Sequence, residues 1–301
     1  MSTNCTLATC DISESLYGYR PNLGINVVFV LVYISVAIYC VYLLAKRRQW
    51  IGYTIAILIG AWLEFLGYVF RVMGYSNPFR RISWIIQYSS LTMAPIFPTA
   101  ATYVCIGQVA EYLGRGAFNI DPKLYLRIFI TSDIIALTIQ AGGGGISFTE
   151  TSNVTGGITT GQGIVIGGLV IQVVSLAVFF VLFLGVVLPS NILRPKVFGE
   201  MNKKEKRLRT FIMLIFLAIL LIVGRSAFRV AEFSEGFFGS LVHDQVLFII
   251  FDGIPIAIAT AVMVIFHPMD MIPSTPRFRT VTSEELIMMP DEGPRRETTG
   301  V

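Results

Sequence analysis

The chain has 301 residues, of which 54% are hydrophobic and 14% charged, with a formal net charge of +4. Soluble domains carry about 25% charged residues, so this composition, with a mean hydropathy of +0.70, excludes an ordinary soluble domain and indicates an integral membrane protein. The small positive excess is expected to reflect membrane topology and does not call for nucleic acid as a partner.

Residues 1–22 read as a polar extracellular N-terminal segment without a cleavable signal peptide, the first span serving as its own signal. In it, Asn4-Cys5-Thr6 is a glycosylation acceptor. Cys5 and Cys10 are candidates for a disulfide, with each other or with a partner. Apolar stretches long enough for a bilayer core of about 30 Å follow at 23–45, 51–73, 82–110, 124–141, 162–188, 210–232 and 244–266. Joined by short loops, they predict an all-α bundle of seven transmembrane helices over 23–266. Pro95 and Pro98 are expected to kink span three, and Pro255 to bend span seven one turn beyond Asp252. The run QAGGGG (140–145) is expected to end span four, and Gly163-xxx-Gly167 in span five is a pattern for close helix contact. Cys40 and Cys105 read as packed interior residues. From His267 onward Pro, Ser, Thr and charge dominate, predicting a disordered cytosolic tail over 267–301.

Orientation follows from the basic residues. One side of the predicted bundle holds 17 lysines and arginines, the other only Arg20, Arg80 and Arg81, and Arg71, Arg225 and Arg229 lie inside spans. The positive-inside rule then puts the N-terminus outside and the C-terminus in the cytosol. A second sequon, Asn153-Val154-Thr155, falls on the same predicted exterior as Asn4.

Ionisable groups inside spans cost roughly 2.5–3.5 kcal/mol each on insertion scales, so their presence asks for a reason. They are Glu64 and Arg71 in span two, Asp133 in span four, Arg225, Arg229 and Glu232 in span six, and Asp252 in span seven, with Gln140 extending the polar face of span four. Glu64 and Arg71, Asp133 and Gln140, and Arg225 and Glu232 are each two turns apart, on one helix face. Arg225 and Arg229 at i,i+4 repel unless acids meet them, and Glu64, Asp133, Glu232 and Asp252 are the acids at hand. At 1.5 Å of rise per residue, Glu64 lies roughly 20 Å and Arg71 about 30 Å from the cytosolic end. Asp133 is near the middle and Asp252 about 12 Å below the outer edge. All of these charges therefore fall between the midplane and the outer surface. Two readings fit: an ion-pair network that fixes helix register, or a polar chamber facing the outer leaflet that holds an amphiphile's head group.

Several chemistries lack their residues. No Gly-rich loop followed by Lys-Ser/Thr occurs, so no ATP-driven step is encoded. The two histidines, His243 and His267, stand at opposite ends of span seven, too few and too far apart for a zinc hydrolase. All six lysines fall in predicted loops, leaving no retinal attachment. Neither an enzyme nor a resident cofactor or metal is expected.

The segments EFLGYVFR (64–71), APIFPTAATY (94–103), SDIIALTIQAGGGG (132–145), GGLVIQ (167–172), RSAFRVAEF (225–233) and FDGIP (251–255), in this order, resemble the fungal RTA-like family. These are seven-helix lipid-translocating exporters linked to resistance to toxic amphiphiles. SLYGYRPNLGINVVF (15–29) is most similar to the branch that moves sphingoid long-chain bases. The resemblance implies a plasma-membrane translocator of sphingoid bases or related cationic amphiphilic lipids. It carries over onto Glu64, Gly67, Tyr68, Arg71, Asp133, Gln140, Arg225, Arg229, Glu232 and Asp252 as substrate-binding or translocation residues. The chain departs from the family pattern at Gln108, where a basic residue is common, and at His243-Asp244-Gln245, where His-Glu is more usual.

A long-chain base joins a cationic amine to one alkyl tail, and the acids of the predicted chamber suit that amine. The alternative is a lipid-sensing receptor, since seven spans with an exterior N-terminus is also receptor topology. In that case the basic 189–209 loop would engage a cytosolic partner rather than anionic lipids.

Overall fold

The computed structural model describes residues 7, 9–12, 15–46, 50–112, 122–150, 159–188, 203–236, 239 and 241–272. They are helical almost throughout: α1 (Leu23–Lys46), α2 (Ile51–Ser76), α3 (Arg81–Met93), α4 (Ile96–Tyr112), α5 (Pro122–Glu150), α6 (Thr160–Val187), α7 (Lys203–Ser234), α8 (Gln245–Phe248), a π turn (Ile249–Gly253), α9 (Ile254–Ile265) and α10 (Pro268–Met271). Taken with α3–α4 as one broken span and α8–α9 as another, seven helical segments are long and apolar enough to cross a bilayer. The protein is an all-helical integral membrane protein. The two ends of the bundle are called here the N-terminal face, where residues 15–22 sit, and the opposite face.

Helix α2 is the central strut. Its buried residues, Tyr53, Ile57, Gly60, Glu64, Gly67, Arg71 and Gly74 among them, recur at alternating spacings of three and four, the mark of one inward face. Three glycines on that stripe let neighbours approach. A methyl at Gly60 would stand 2.9 Å from Pro98, one at Gly67 would stand 2.5 Å from Leu91, and one at Gly74 would stand 2.8 Å from the Tyr17 hydroxyl. The same stripe therefore turns Glu64 and Arg71 inward.

The expected break in span three is present, between Met93 and Ile96. Pro95 has no N–H, so the carbonyl of Leu91, four residues earlier, loses its helical donor. Span seven is interrupted at Asp252 itself rather than one turn later. The N–H of Ile254 reaches back five residues to Ile249, and the wide turn delivers Pro255 to the first turn of α9, where its missing N–H is tolerated.

Two expectations are corrected. QAGGGG does not end span four: α5 continues to Glu150, with Gly143 packed against α6 while Gly142 and Gly145 meet nothing within 4 Å. Nor are Gly163 and Gly167 the contact residues, since neither has a neighbour within 4 Å of an added methyl. The seam is built by Gly143, Gly161 and Gly168. A methyl on Gly161 would stand 2.3 Å from the Ser147 amide nitrogen, and one on Gly168 would stand 2.9 Å from the Ala136 carbonyl. Backbone lies against backbone there, and backbone cannot swing aside. Gly161→Ala is accordingly expected to destabilise by about 1–3 kcal/mol through overpacking. Gly163→Ala should be neutral or stabilising, by up to about 1 kcal/mol, through helix propensity. Thermal unfolding in detergent compares the two.

Order extends past the predicted start of the tail. His267 is buried at the opposite face, its Nε2 3.1 Å from the Thr54 hydroxyl, and its Nδ1 accepts from the Met269 amide to cap α10. Residues 273–301 lie outside the described residues.

Candidate functional site: a buried arginine cluster and a separate aspartate

Arg225, Arg229 and Glu232 share one face of α7 and are all buried. Asp252, on the π turn, sits between the two guanidiniums. Arg229 donates from Nε and Nη2 to the two carboxylate oxygens of Asp252, each at 2.7 Å. Its Nη1 donates to Glu232 Oε2, also at 2.7 Å. Arg225 donates from Nε to the shared Asp252 Oδ1 at 2.7 Å. Its Nη2 donates to the Leu91 carbonyl at 2.5 Å, replacing the donor that Pro95 removed. The i,i+4 repulsion between the arginines is thus met by a forked, charge-assisted pair and by a helix break placed to receive the spare N–H.

Around this core lie Glu64 and Arg71. Glu64 is buried, faces Asp252, Arg225 and Arg229, and makes no hydrogen bond among the described residues. Arg71 donates from Nη2 to the Tyr19 hydroxyl, and its guanidinium lies 4.0 Å from the Phe248 ring centroid. Arg229 faces the same ring at 5.3 Å and Tyr88 at 5.7 Å, distances at which cations are drawn to aromatic faces. Tyr68 is fully buried, stacked on Phe29 at 4.6 Å and Tyr33 at 5.7 Å. A methyl at Gly253 would stand 2.8 Å from its hydroxyl.

The N-terminal segment is not a free leader. Leu16 and Tyr17 are buried, and Tyr19 holds Arg71. Arg20 donates to the Tyr75 carbonyl at 3.1 Å and lies 3.8 Å over the Tyr75 ring. Gly18, at φ +69°, passes beneath His243, whose ring would stand 2.4 Å from any Cβ there. Only glycine meets both demands. Partial burial pulls the His243 pKa below its usual value. Together Tyr17, Tyr19, Arg71, Trp84, Gln87, Tyr88, Glu232, Val242 and Phe248 enclose a cavity of about 10 Å³, about enough for one water. In this conformation the cluster is a salt-bridged interior beneath residues 15–20, with room for about one water beside it.

The structure separates Asp133 from this cluster. Asp133 is buried on α5, beside the Tyr103 hydroxyl of α4, which also neighbours Ser175 of α6. Among the described residues its carboxylate oxygens have no partner nearer than that Tyr103 hydroxyl. Gln140, two turns along, donates to Gln172 Oε1 at 3.0 Å. Helix α5 packs chiefly on α6 and α4, so Asp133 does not meet the span-six arginines as depth alone had implied. Depth along the membrane normal carries no information about position around the bundle.

Of the remaining predicted residues, Cys10 is disulfide-bonded and Cys40 and Cys105 are free and buried. Cys5, Asn4 and Asn153 lie outside the described residues, so the Cys5–Cys10 pairing and the two glycosylation sites stay proposals. Among the described residues no group of His, Cys, Asp and Glu is arranged to hold a metal. Sequence reasoning missed Tyr17, Tyr19, Gln87, Tyr88 and Phe248, which only tertiary contact brings to the charges. The Leu91 carbonyl had a readable signal in Pro95.

Comparison with known proteins places this architecture. The chain is 31% identical to the sphingoid long-chain base transporter RSB1 of Saccharomyces cerevisiae over 287 residues, covering 85% of this chain and 74% of that protein. It is 27% identical to Protein RTM1 of the same yeast, over 70% of this chain and 66% of that one. It is 28% identical to the yeast protoporphyrin uptake protein 1, over 65% and 62% of the respective chains. No solved structure matches. The profile of the RTA1-like proteins matches residues 57–275, a stretch that includes every charged group of the buried cluster, and the chain belongs to the RTA1-like family.

Proposed function

We propose that this protein translocates sphingoid long-chain bases, or cationic amphiphiles of that kind, across the bilayer, with the N-terminus outside and the plasma membrane as its site. The polar interior between α2, α3, α7 and the π turn would take the head group while the tail stays in lipid. The observation that carries this reading is the buried cluster Glu64–Arg71–Arg225–Arg229–Glu232–Asp252. It is larger than helix register requires, and it lies in a chain that aligns over 85% of its length with a relative named as a sphingoid-base transporter. Since the cavity there is about 10 Å³, passage requires the N-terminal segment and Phe248 to move aside. The residues that would open are therefore Tyr17 and Tyr19 over Arg71.

The small size of the cavity is also the observation favouring the second reading, a lipid-sensing receptor with the basic 189–209 segment as its output, although its last seven residues form the start of α7 and not a loop. Reconstitution in liposomes distinguishes them. The purified protein is expected to accelerate the change in leaflet distribution of a labelled long-chain base. Unchanged flip rates with tight, saturable binding would favour the sensor. Glu64→Gln is the informative variant because Glu64 makes no hydrogen bond whose loss would unfold the bundle. It should fold normally and translocate several-fold more slowly. Normal flipping by a folded Glu64→Gln variant would make that acid structural.

A further inference from the structure

The acids of the arginine cluster are engaged: Asp252 accepts from two guanidiniums and Glu232 from one, and Glu64 faces both arginines. Asp133 differs from all of them. It is 2% exposed, and among the described residues no cation faces it from a helix packed against α5. Helix α6 carries no charged residue. The ionisable groups of α4 are Tyr103, Cys105, Glu111 and Tyr112, and those of α3 are Arg81 and Tyr88. Among the described side chains of these helices, the Tyr103 hydroxyl is in reach. Three buried polar side chains converge there with unused capacity: the Asp133 carboxylate, the Tyr103 hydroxyl and the Ser175 hydroxyl.

An ionised carboxylate in that position would be an uncompensated charge in a low-dielectric interior, a state proteins avoid by neutralising the group. A proton needs no volume and fits the site as it stands. A primary ammonium offers three donors to the same three groups once the site opens. On the lipid side of the same helix pair a groove of about 420 Å³ is lined by Arg127, Ile128, Thr131, Ser132, Ile135 and Ile171. It is mostly apolar and at the height of Asp133, on the exposed face of α5, whereas the carboxylate is on the buried face of the same helix.

We propose that Asp133, with Tyr103 and Ser175, is an exchange site, distinct from the arginine cluster, that holds a proton when empty and surrenders it to bind the ammonium head of an amphiphile. The O–H bond of the carboxyl breaks, its electron pair stays on the carboxylate and the proton leaves to water. The incoming ammonium supplies the balancing charge, so the bilayer interior remains neutral throughout. The arginine cluster, its two span-six arginines met by its own acids, remains the head-group interior of the transport reading, and Asp133 is a second group that meets cargo. This inference rests on the sphingoid-base reading and divides the predicted chamber into two sites.

The test counts protons. Full-length protein in lipid nanodiscs is titrated with sphinganine, and with its neutral N-acetyl derivative, in two buffers of different ionisation heat. Calorimetry then gives the protons released per molecule bound. The wild type and Asp133→Glu are expected to release about one proton per sphinganine, Asp133→Asn none, and N-acetylsphinganine none with any variant. Release that persists in Asp133→Asn, or wild-type binding without release, overturns the exchange and leaves the transporter reading intact. Should Asp133→Asn fail to fold, Glu64→Gln decides. Continued release there supports Asp133 as the donor, and lost release with binding retained assigns the proton to Glu64. Absence of any saturable sphinganine binding by the wild type overturns both readings.

Discussion

Arg229→Ala is expected to cost about 3–5 kcal/mol of stability, the range for removing one partner of a buried ion pair. The residue is 0% exposed, and its truncation strips three hydrogen bonds from two carboxylates. Asp252 would keep Arg225 alone, and Glu232 would keep no direct partner among the described residues. The measurable outcome is a large fall in the thermal midpoint in detergent and poor accumulation in the membrane. Arg229→Lys should recover only part of the loss, because an ammonium cannot reproduce the planar fork across both oxygens of Asp252. An Arg229→Ala variant as stable as the wild type would place this stretch outside the bundle interior.

The second large effect is expected from Asp252→Asn. Here two guanidiniums, four residues apart on one helix, lose the anion between them while the shape of the site is kept. A loss of about 3–5 kcal/mol is again the expectation, and liposome flipping should fall with it. The informative comparison is the double variant Arg229→Met/Asp252→Leu, which removes the forked pair as a unit and leaves Arg225 and Glu232 as single charges of opposite sign. Because an apolar pair of similar size often replaces a buried ion pair at little cost, the double variant should be more stable than the sum of its own singles, Arg229→Met and Asp252→Leu, predicts. A coupling of about 0.5–3 kcal/mol is expected. Strict additivity would mean that the two residues do not touch.

The seven spans were legible because each carries an apolar run of membrane length, and the break in span three because Pro95 removes a donor, whereas span seven breaks at Asp252 and not at Pro255. The inward face of α2 was legible too: Glu64 and Arg71 are two turns apart, and the structure buries both. Three things were not. Counting residues gives height in the membrane but not azimuth, so Asp133 was placed with arginines that stand across the bundle. Glycine spacing signals a close contact without saying which glycines face the partner. Gly161 and Gly168 pack against α5, whereas Gly163 and Gly167, spaced just as suggestively, face nothing within 4 Å. The packing of the polar N-terminal segment was not legible because the Tyr17–Gly74 and Tyr19–Arg71 contacts join residues more than fifty positions apart, and no local pattern encodes them.

The wide turn at Ile249–Gly253 stores one residue more than an α turn holds. Were that surplus residue handed along the helix, the side chains it passed would rotate by about 100° about the axis. Asp252 would swing away from both guanidiniums, and Phe248 would leave the Arg71 and Arg229 faces it now covers. The ion triad and the surplus residue therefore keep each other in register. The salt bridges set the angular phase of the whole N-terminal half of the last span relative to α9, as a pawl holds a toothed wheel at one tooth.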